Sequence, residues 1–80
     1  MKELDLSGLS CPIPIIITNR VLSGMLDGDV LTVTATDPLA NQDFRDYCRS
    51  TGHKLVRVEK QIGSMKFHVQ KSGGMKLATD

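Results

Sequence analysis

Two prolines separated by one residue, Pro12 and Pro14, decide how the first third of this 80-residue chain folds. The run Ile15-Ile16-Ile17 that follows them is β-branched and taken alone favours a strand. Proline at the first position of a helix already has the required φ and loses no hydrogen bond there, so the two prolines favour a helix start. Apolar residues also recur at helical spacing after this run. The sequence therefore predicts a helix from about Pro12 to Leu26, ended by Asp27-Gly28.

The rest of the chain alternates strand and helix patterns. Leu4 and Leu6 predict a short first strand, and the alternation over Val30 to Thr36 predicts a second. Asp37 is a candidate N-cap, with Pro38 at the first helical position. The second helix then has one buried stripe and ends at Gly52; the stripe consists of Ala40, Phe44, Tyr47, Cys48 and Thr51. Two strands, Leu55 to Lys60 and Met65 to Lys71, follow with a turn at Gly63-Ser64.

The order βαβαββ predicts an α+β fold, a two-layer α/β sandwich with a four-stranded mixed sheet and two helices on one face. Right-handed crossovers place both helices on the same side and leave the other sheet face open. Residues 1–72 are expected to form a single domain, and residues 73–80 a flexible C-terminal tail that opens with two glycines.

Composition narrows the classes of function. A net charge of +1 gives no basic field that would drive nucleic-acid binding by itself, and only 4% of the residues are aromatic. Neither a signal-peptide start nor an apolar run of about 20 residues occurs, which predicts a cytoplasmic protein. Two cysteines are too few for a disulfide scaffold or a four-ligand zinc site, and neither His53 nor His68 has metal-ligand spacing with them. Both histidines are interpreted as surface residues, and no metal or cofactor is expected.

Cys11 is the candidate catalytic residue, because it precedes the first helix. Free N–H groups and the positive end of a helix dipole stabilise a thiolate at such a position, which predicts a lowered thiol pKa. The alternative is that Cys11 is a small apolar residue beside a helix, since free cysteine is commonly buried. Cys48 lies on the buried stripe of the second helix, and a structural role is favoured there.

The segment Gly8-Leu9-Ser10-Cys11-Pro12-Ile13-Pro14, preceded by Leu4-Asp5, resembles the signature of the TusA-like (SirA-like) sulfur carriers. The resemblance continues through Gly28 to Leu31, Asp37-Pro38, Asp43, Tyr47-Cys48 and Thr51 to His53, and covers about residues 4 to 71. It implies that Cys11 accepts sulfane sulfur as a persulfide and passes it along a relay, with Pro12 and Pro14 as supporting residues. The implied partners are a sulfur-donor protein, either a cysteine desulfurase or a rhodanese, and a downstream thiol acceptor protein. In this family the sulfur serves tRNA thiolation, cofactor sulfuration or sulfur metabolism.

Ile13 departs from the tRNA-thiolation branch of that family, which has an acidic residue between the two prolines. On a helical wheel Ile13 and Ile16 lie on the polar side with Arg20, away from the predicted buried stripe; that stripe consists of Ile15, Ile17, Val21, Leu22, Met25 and Leu26. Two exposed isoleucines beside a reactive thiol predict a partner-docking patch, to which Arg20 is a candidate contributor.

Two other functions remain open from the sequence alone. One is a small thiol enzyme that decomposes thiosulfate or peroxide, which needs a general acid or an anion site beside Cys11. The other is a non-catalytic regulatory or RNA-binding module that uses the open sheet face, where Lys54, Arg57, Lys60, Lys66 and Lys71 concentrate positive charge. The scarcity of aromatic residues argues against base stacking on that face, so direct binding of nucleic acid is not expected.

Overall fold

The order of elements along the chain is βαβαββ, as the sequence predicts. The computed structural model describes residues 2–72, so the predicted tail, residues 73–80, lies outside the described residues. The elements are β1 (Lys2–Asp5), α1 (Ile13–Ser23), β2 (Val30–Ala35), α2 (Ala40–Thr51), β3 (Lys54–Gln61) and β4 (Ser64–Gln70). Neither helix in this range has the length and apolar character needed to cross a membrane.

The four strands form one mixed sheet in the order β1-β2-β4-β3. β1 pairs with β2 in parallel, and β4 pairs antiparallel with both β2 and β3. β2 and β3 therefore run in the same direction with β4 between them. The sequence left this strand order open, because a hairpin can add to a sheet on either side.

One apolar face of the sheet packs against both helices. The pairs Leu31 with Val69 and Val33 with Phe67 bring four buried side chains together on this face. The Phe67 ring stacks on Phe44 of α2, with ring centroids 4.5 Å apart. Both helices contribute to this same core and contact each other. The predicted two-layer α+β arrangement is confirmed.

α1 is shorter than predicted, and its buried face is centred elsewhere. The helix ends at Ser23, because the chain turns at Gly24 and the Lys71 ammonium donates to the Leu22 carbonyl oxygen at 2.6 Å. Leu26 lies beyond this end and is 76% exposed, so its predicted burial is wrong. The buried helical positions are Pro14, Thr18 and Leu22, flanked by the half-buried Ile15, Ile17 and Val21. A wheel drawn from apolar residues alone misses this centre, since Pro14 and Thr18 are not counted.

α2 and the hairpin agree with the sequence apart from their ends. Ala40, not Pro38, is the first helical residue, and the predicted stripe is buried from there to Cys48, with Thr51 half-buried. Gly52 ends the helix at φ +88°, and its N–H donates to the Cys48 carbonyl oxygen. The two-residue turn of the hairpin is Ile62-Gly63, one residue earlier than predicted, because Gly63 takes the positive φ.

The open face of the sheet carries a polar network. His68 lies between Thr32 Oγ1, 3.1 Å from its Nδ1, and Glu59 Oε1, 3.2 Å from its Nε2. Glu59 also forms a 2.9 Å salt bridge with Arg57. His68 thus lies on the open face, as predicted, where it is half-buried and hydrogen-bonded through both ring nitrogens. His53 is half-buried too, and its Nδ1 accepts the Ser72 backbone N–H at 3.2 Å.

Candidate functional site: an exposed cysteine at the sheet edge

Cys11 lies in the loop between β1 and α1, and its side chain is exposed. Pro12 follows it through a cis peptide bond, and Pro14 is buried against the core in the first turn of α1. Because β1 and β2 are parallel, the loops that follow them lie at the same edge of the sheet. The thiol is therefore presented where α1 and α2 both begin.

The loop that carries Cys11 is fastened to the loop between β2 and α2. The Gly8 N–H donates to Thr36 Oγ1 at 2.8 Å. The Cys11 N–H donates to Asp37 Oδ2 at 2.6 Å, while the Leu39 N–H donates to Asp37 Oδ1 at 2.9 Å. One carboxylate thus joins the reactive loop to the turn that leads into α2. The predicted role of Asp37 as the N-cap of α2 is wrong, because the N-cap residue is Leu39. The Asp37 carboxylate instead accepts the Leu39 N–H, in the turn before the helix, and the Cys11 N–H.

The charge around the thiol is opposite to the charge predicted. A hydrogen bond from the thiol to the Asp43 carboxylate raises the pKa of Cys11, and desolvation and the negative charges of Asp43 and Asp37 raise it further. The N–H groups expected to favour a thiolate are largely committed: Cys11 donates to Asp37, Ile13 donates to the Ser10 carbonyl oxygen, and proline has no N–H to give. The prediction of a lowered thiol pKa is wrong for the free protein.

Asp37 itself favours its ionised form. The hydrogen bonds from the Leu39 and Cys11 backbone N–H groups lower the pKa of Asp37, because they stabilise the carboxylate. It therefore remains charged at neutral pH beside the reactive loop.

An open groove of about 420 Å³ leads away from Cys11 between the two helices. Its α1 side is apolar, formed by Pro12 and Ile15 next to the cysteine, and its α2 side carries Asp43, Asp46 and Tyr47. The Tyr47 hydroxyl donates to Asn19 Oδ1 on α1 at 2.8 Å, and burial raises the pKa of this tyrosine to about 12. The groove thus combines an apolar wall, a fixed tyrosine and two carboxylates.

The residues predicted for partner docking lie on the outer surface of α1. Ile13 is 41% exposed and Ile16 is 49% exposed, one turn apart, and Arg20 is exposed further along the helix. Their predicted exposure is confirmed, while their part in docking stays a prediction. They do not line the groove, so the thiol has an apolar surface on one side and an acidic groove on the other.

Cys48 is separated from this site. It is 6% exposed in the interior face of α2, and burial raises its pKa to about 11. Cys11 and Cys48 are both free thiols. The structural interpretation of Cys48 agrees with this burial. Among residues 2–72, no group of three or more His, Cys, Asp and Glu side chains is arranged to hold a metal ion.

Sequence reasoning missed the contacts of two carboxylates with Cys11. The local pattern indicates only a helix cap at Asp37, and the family resemblance includes Asp37 and Asp43 without assigning either a contact with Cys11. The signal is topological and needs the strand order that the structure supplies: both follow the carboxyl end of β2, which pairs in parallel with β1, the strand that leads to Cys11. Residues after neighbouring parallel strands meet at one edge, which brings these carboxylates to the thiol.

Comparison with known proteins agrees with this fold and site. Residues 2–71 match the family model described as sulfurtransferase TusA. A putative sulfur carrier protein of Neisseria meningitidis is 48% identical over 69 residues, which is 86% of this chain and 93% of that protein. The sulfur carrier protein TusA of Allochromatium vinosum is 41% identical over 71 residues, or 89% of this chain and 93% of its own length.

A solved structure shares the whole architecture. The crystal structure of a SirA-like protein from Desulfitobacterium hafniense superposes with a TM-score of 0.79 at 25% sequence identity, covering 90% of this chain and 99% of that one. The fold and an exposed cysteine before α1 define a small sulfur-carrier domain. This chain belongs to the TusA family, as the resemblance in its sequence implied.

Proposed function

We propose that Cys11 accepts sulfane sulfur from a donor protein as a persulfide and passes it to an acceptor thiol. The observation that carries this proposal is the placement of Cys11: it is exposed on a loop fastened by Asp37, whereas the other cysteine is buried. Membership of a family whose relatives are named sulfur carriers supports the same reaction. Cys11 would thus be the catalytic residue, and Pro12 and Pro14 would support its position.

The exchange needs only the sulfur atoms of two partners. The Cys11 thiol loses its proton to water, and the thiolate attacks the terminal sulfur of the donor's cysteine persulfide. A new S–S bond forms at Cys11, the donor's S–S bond breaks, and the donor cysteine leaves as a thiolate with the electron pair. Delivery is the same step with the acceptor thiolate as the nucleophile. No net oxidation or reduction occurs, so neither direction requires an additional redox partner.

The raised pKa of the free Cys11 thiol is compatible with carrier duty. A protonated thiol is a poor nucleophile and is oxidised slowly, since oxidation follows thiolate character. The exposed sulfur is thereby protected between encounters. Reactivity must then be restored when a partner is bound.

Ile13, Ile16 and Arg20 are the proposed docking surface for the donor, a cysteine desulfurase or a rhodanese, and for the acceptor protein. The double variant Ile13→Glu with Ile16→Ser should slow persulfide transfer from the protein donor about tenfold, because it removes apolar contact area and adds a charge. Ile62→Ser is the matched control, since Ile62 is fully exposed in the β3–β4 turn. Unchanged transfer by the double variant would remove the docking role without affecting persulfide chemistry.

The RNA-binding alternative receives no specific support from the open sheet face. Arg57 on that face is paired with Glu59, and within residues 2–72 the Phe and Tyr side chains belong to the core or to α2. Base stacking has no Phe, Tyr or Trp side chain available there.

Intact-mass measurement tests the proposal directly. The reduced protein is incubated with a cysteine desulfurase and cysteine, and separately with a rhodanese and thiosulfate. Wild type and Cys48→Ser should gain one reducible sulfur, about 32 Da, and Cys11→Ser should gain none. A sulfur adduct that persists in Cys11→Ser, or no adduct from either donor, would contradict the assignment of Cys11.

A further inference from the structure

The acidic groove beside Cys11 has no cationic partner within the described chain. Asp43 and Asp46 lie one turn apart on α2 and line the groove, and Asp37, on the loop before α2, adds a further negative charge that acts on the thiol. The salt bridges among residues 2–72 join other groups, Arg57 and His68 to Glu59. Asp46 accepts only a neutral hydrogen bond, from the Gln42 amide at 3.0 Å. Negative charge is therefore concentrated at the one place where a sulfur-exchange partner must approach.

The shape of the groove is suited to a long cationic side chain. Pro12, Ile15 and the Tyr47 ring give an apolar wall along which the methylene groups of lysine or arginine would lie. Asp43 and Asp46 line the same groove and would pair with the charged end. An acidic or purely apolar side chain would leave these carboxylates unpaired as the partner displaces water.

We propose that the groove receives a lysine or arginine of the exchange partner, located within two residues of its reactive cysteine, and that this cation draws Asp43 away from the Cys11 thiol. This inference rests on the proposed function, since it concerns the partner of that reaction. The limit of two residues follows from reach: Asp43 and Cys11 line the same groove, and residues two apart in an extended segment point to the same side.

The consequence is a thiol that becomes reactive on contact with the correct partner. The titratable groups around Cys11 are Asp37, on the loop between β2 and α2, and Asp43, Asp46 and Tyr47 on α2. Tyr47 stays protonated at neutral pH, because burial raises its pKa to about 12. Pairing Asp43 with a cation removes its hydrogen bond and its negative charge from the thiol. The proton then leaves to water, and the Cys11 thiolate attacks the donor's terminal sulfur as described above. Asp43 is a positioning residue in this scheme, because it acts through Cys11.

Short peptide persulfides test the inference with the intact protein. Three peptides carry a central cysteine persulfide flanked at two residues on each side by arginine, glutamine or glutamate. Each is presented to wild type, Asp43→Asn, Asp43→Glu and Asp27→Asn, and the rate of sulfur transfer to Cys11 is followed by mass. Asp27 is exposed in the loop after α1 and serves as the control for net charge. The ratio of arginine to glutamate rates, compared between variants, cancels the intrinsic reactivity of each peptide.

The ratio of arginine to glutamate rates in wild type should exceed the ratio in Asp43→Asn about threefold to fivefold, as expected for an exposed ion pair. Asp43→Glu should restore at least part of the preference for the arginine peptide, and Asp27→Asn should show the same preference as wild type. In wild type, 0.5 M salt should reduce this preference, because salt screens the ion pair. Asp43→Asn should also raise the rate at which free Cys11 is alkylated at pH 7.5. Equal ratios in wild type and Asp43→Asn would overturn the inference while transfer itself persists. Absence of transfer from every peptide and every protein donor would overturn the proposed function instead.

Discussion

The two cysteines of this chain both resist ionisation, but for different physical reasons. At Cys11 a hydrogen bond to Asp43 and the charges of nearby carboxylates raise the pKa, and the side chain is exposed. At Cys48 burial raises the pKa to about 11. A neighbouring charge can be neutralised by a visiting group, whereas burial can be relieved only by opening the fold.

Because of this difference, one thiol is accessible and can be activated by a partner, whereas the other is buried and contributes only to packing. Cys48 lies on α2 one residue from Tyr47, in the core formed by both helices and the sheet. Cys11 is outside that core on a loop held by Asp37. The fold thus keeps one thiol accessible to a partner and makes the other inaccessible, with no need for a disulfide or a metal to distinguish them.

The largest expected effect is in the rate of alkylation. At pH 7.5 iodoacetamide should label Cys11 on the order of 10³ times faster than Cys48, because Cys48 reacts only after unfolding and unfolding costs about 5 kcal/mol or more. Peptide mapping by mass spectrometry gives both rates in the same sample. In 6 M guanidinium chloride the two rates should agree within about threefold. Comparable labelling in the native protein would mean that Cys48 is open to solvent and that the comparison fails.

The second effect is in alkaline stability. Burial raises the pKa of Cys48 from its ordinary value of 9.0 to about 11 in the folded state, so the unfolded chain loses this proton first as pH rises. The contribution of Cys48 is fully present below the unfolded pKa and is lost as pH rises towards the folded pKa of about 11. The free energy of unfolding should fall by about 1 kcal/mol between pH 8 and pH 10 for this group alone.

Urea denaturation in the Cys11→Ser background isolates that effect. Adding Cys48→Ala should lower stability at pH 8 and remove most of the decline up to pH 10. The smaller decline that remains belongs mainly to Tyr47, whose pKa of about 12 is also raised by burial. An equal decline with and without Cys48 would show that the thiol ionises as readily in the folded chain as in the unfolded one.

The fold could be predicted because its elements follow from local patterns. The stripe from Ala40 to Cys48 and the alternation of Leu31, Val33 and Ala35 each match the burial observed. The errors occur where a tertiary contact overrides a local pattern. α1 stops early because Gly24 turns the chain and Lys71, from the far end of the domain, caps the Leu22 carbonyl.

The site was predicted in position but not in electrostatics. That Cys11 is exposed before a helix follows from the two prolines and the change of pattern. That its thiol faces Asp43 depends on how α1 and α2 pack at the sheet edge, which no local pattern records. The rule that a helix N-terminus stabilises a thiolate also assumes free N–H groups, and here Asp37 and two prolines remove them.

The smallest expected effect separates the two carboxylates beside Cys11. Asp43 acts by a hydrogen bond and by charge, whereas Asp37 acts on the thiol by charge alone, while its own bonds hold the Cys11 and Leu39 N–H groups. When a thiol pKa falls, the thiolate fraction rises more steeply than its nucleophilicity falls, so the rate of alkylation increases. We therefore expect alkylation of Cys11 at pH 7.5 to be faster in both Asp43→Asn and Asp37→Asn than in wild type, with the larger gain in Asp43→Asn.

Salt dependence tells whether the small effect of Asp37 is electrostatic. The asparagine amide can still accept one of the two N–H groups, so part of the anchor is kept in Asp37→Asn. A purely electrostatic gain should shrink between 0.05 M and 0.5 M NaCl, since the Debye length falls below about 5 Å. Asp27→Asn, measured alongside, should stay at the wild-type rate under both conditions. The rate of Cys11 alkylation could instead rise more in Asp37→Asn than in Asp43→Asn, or rise by the same factor at both salt concentrations. Either result would mean that release of the loop controls the reactivity of Cys11. The two cysteines would then differ in how their segments are anchored, not in the charges around them.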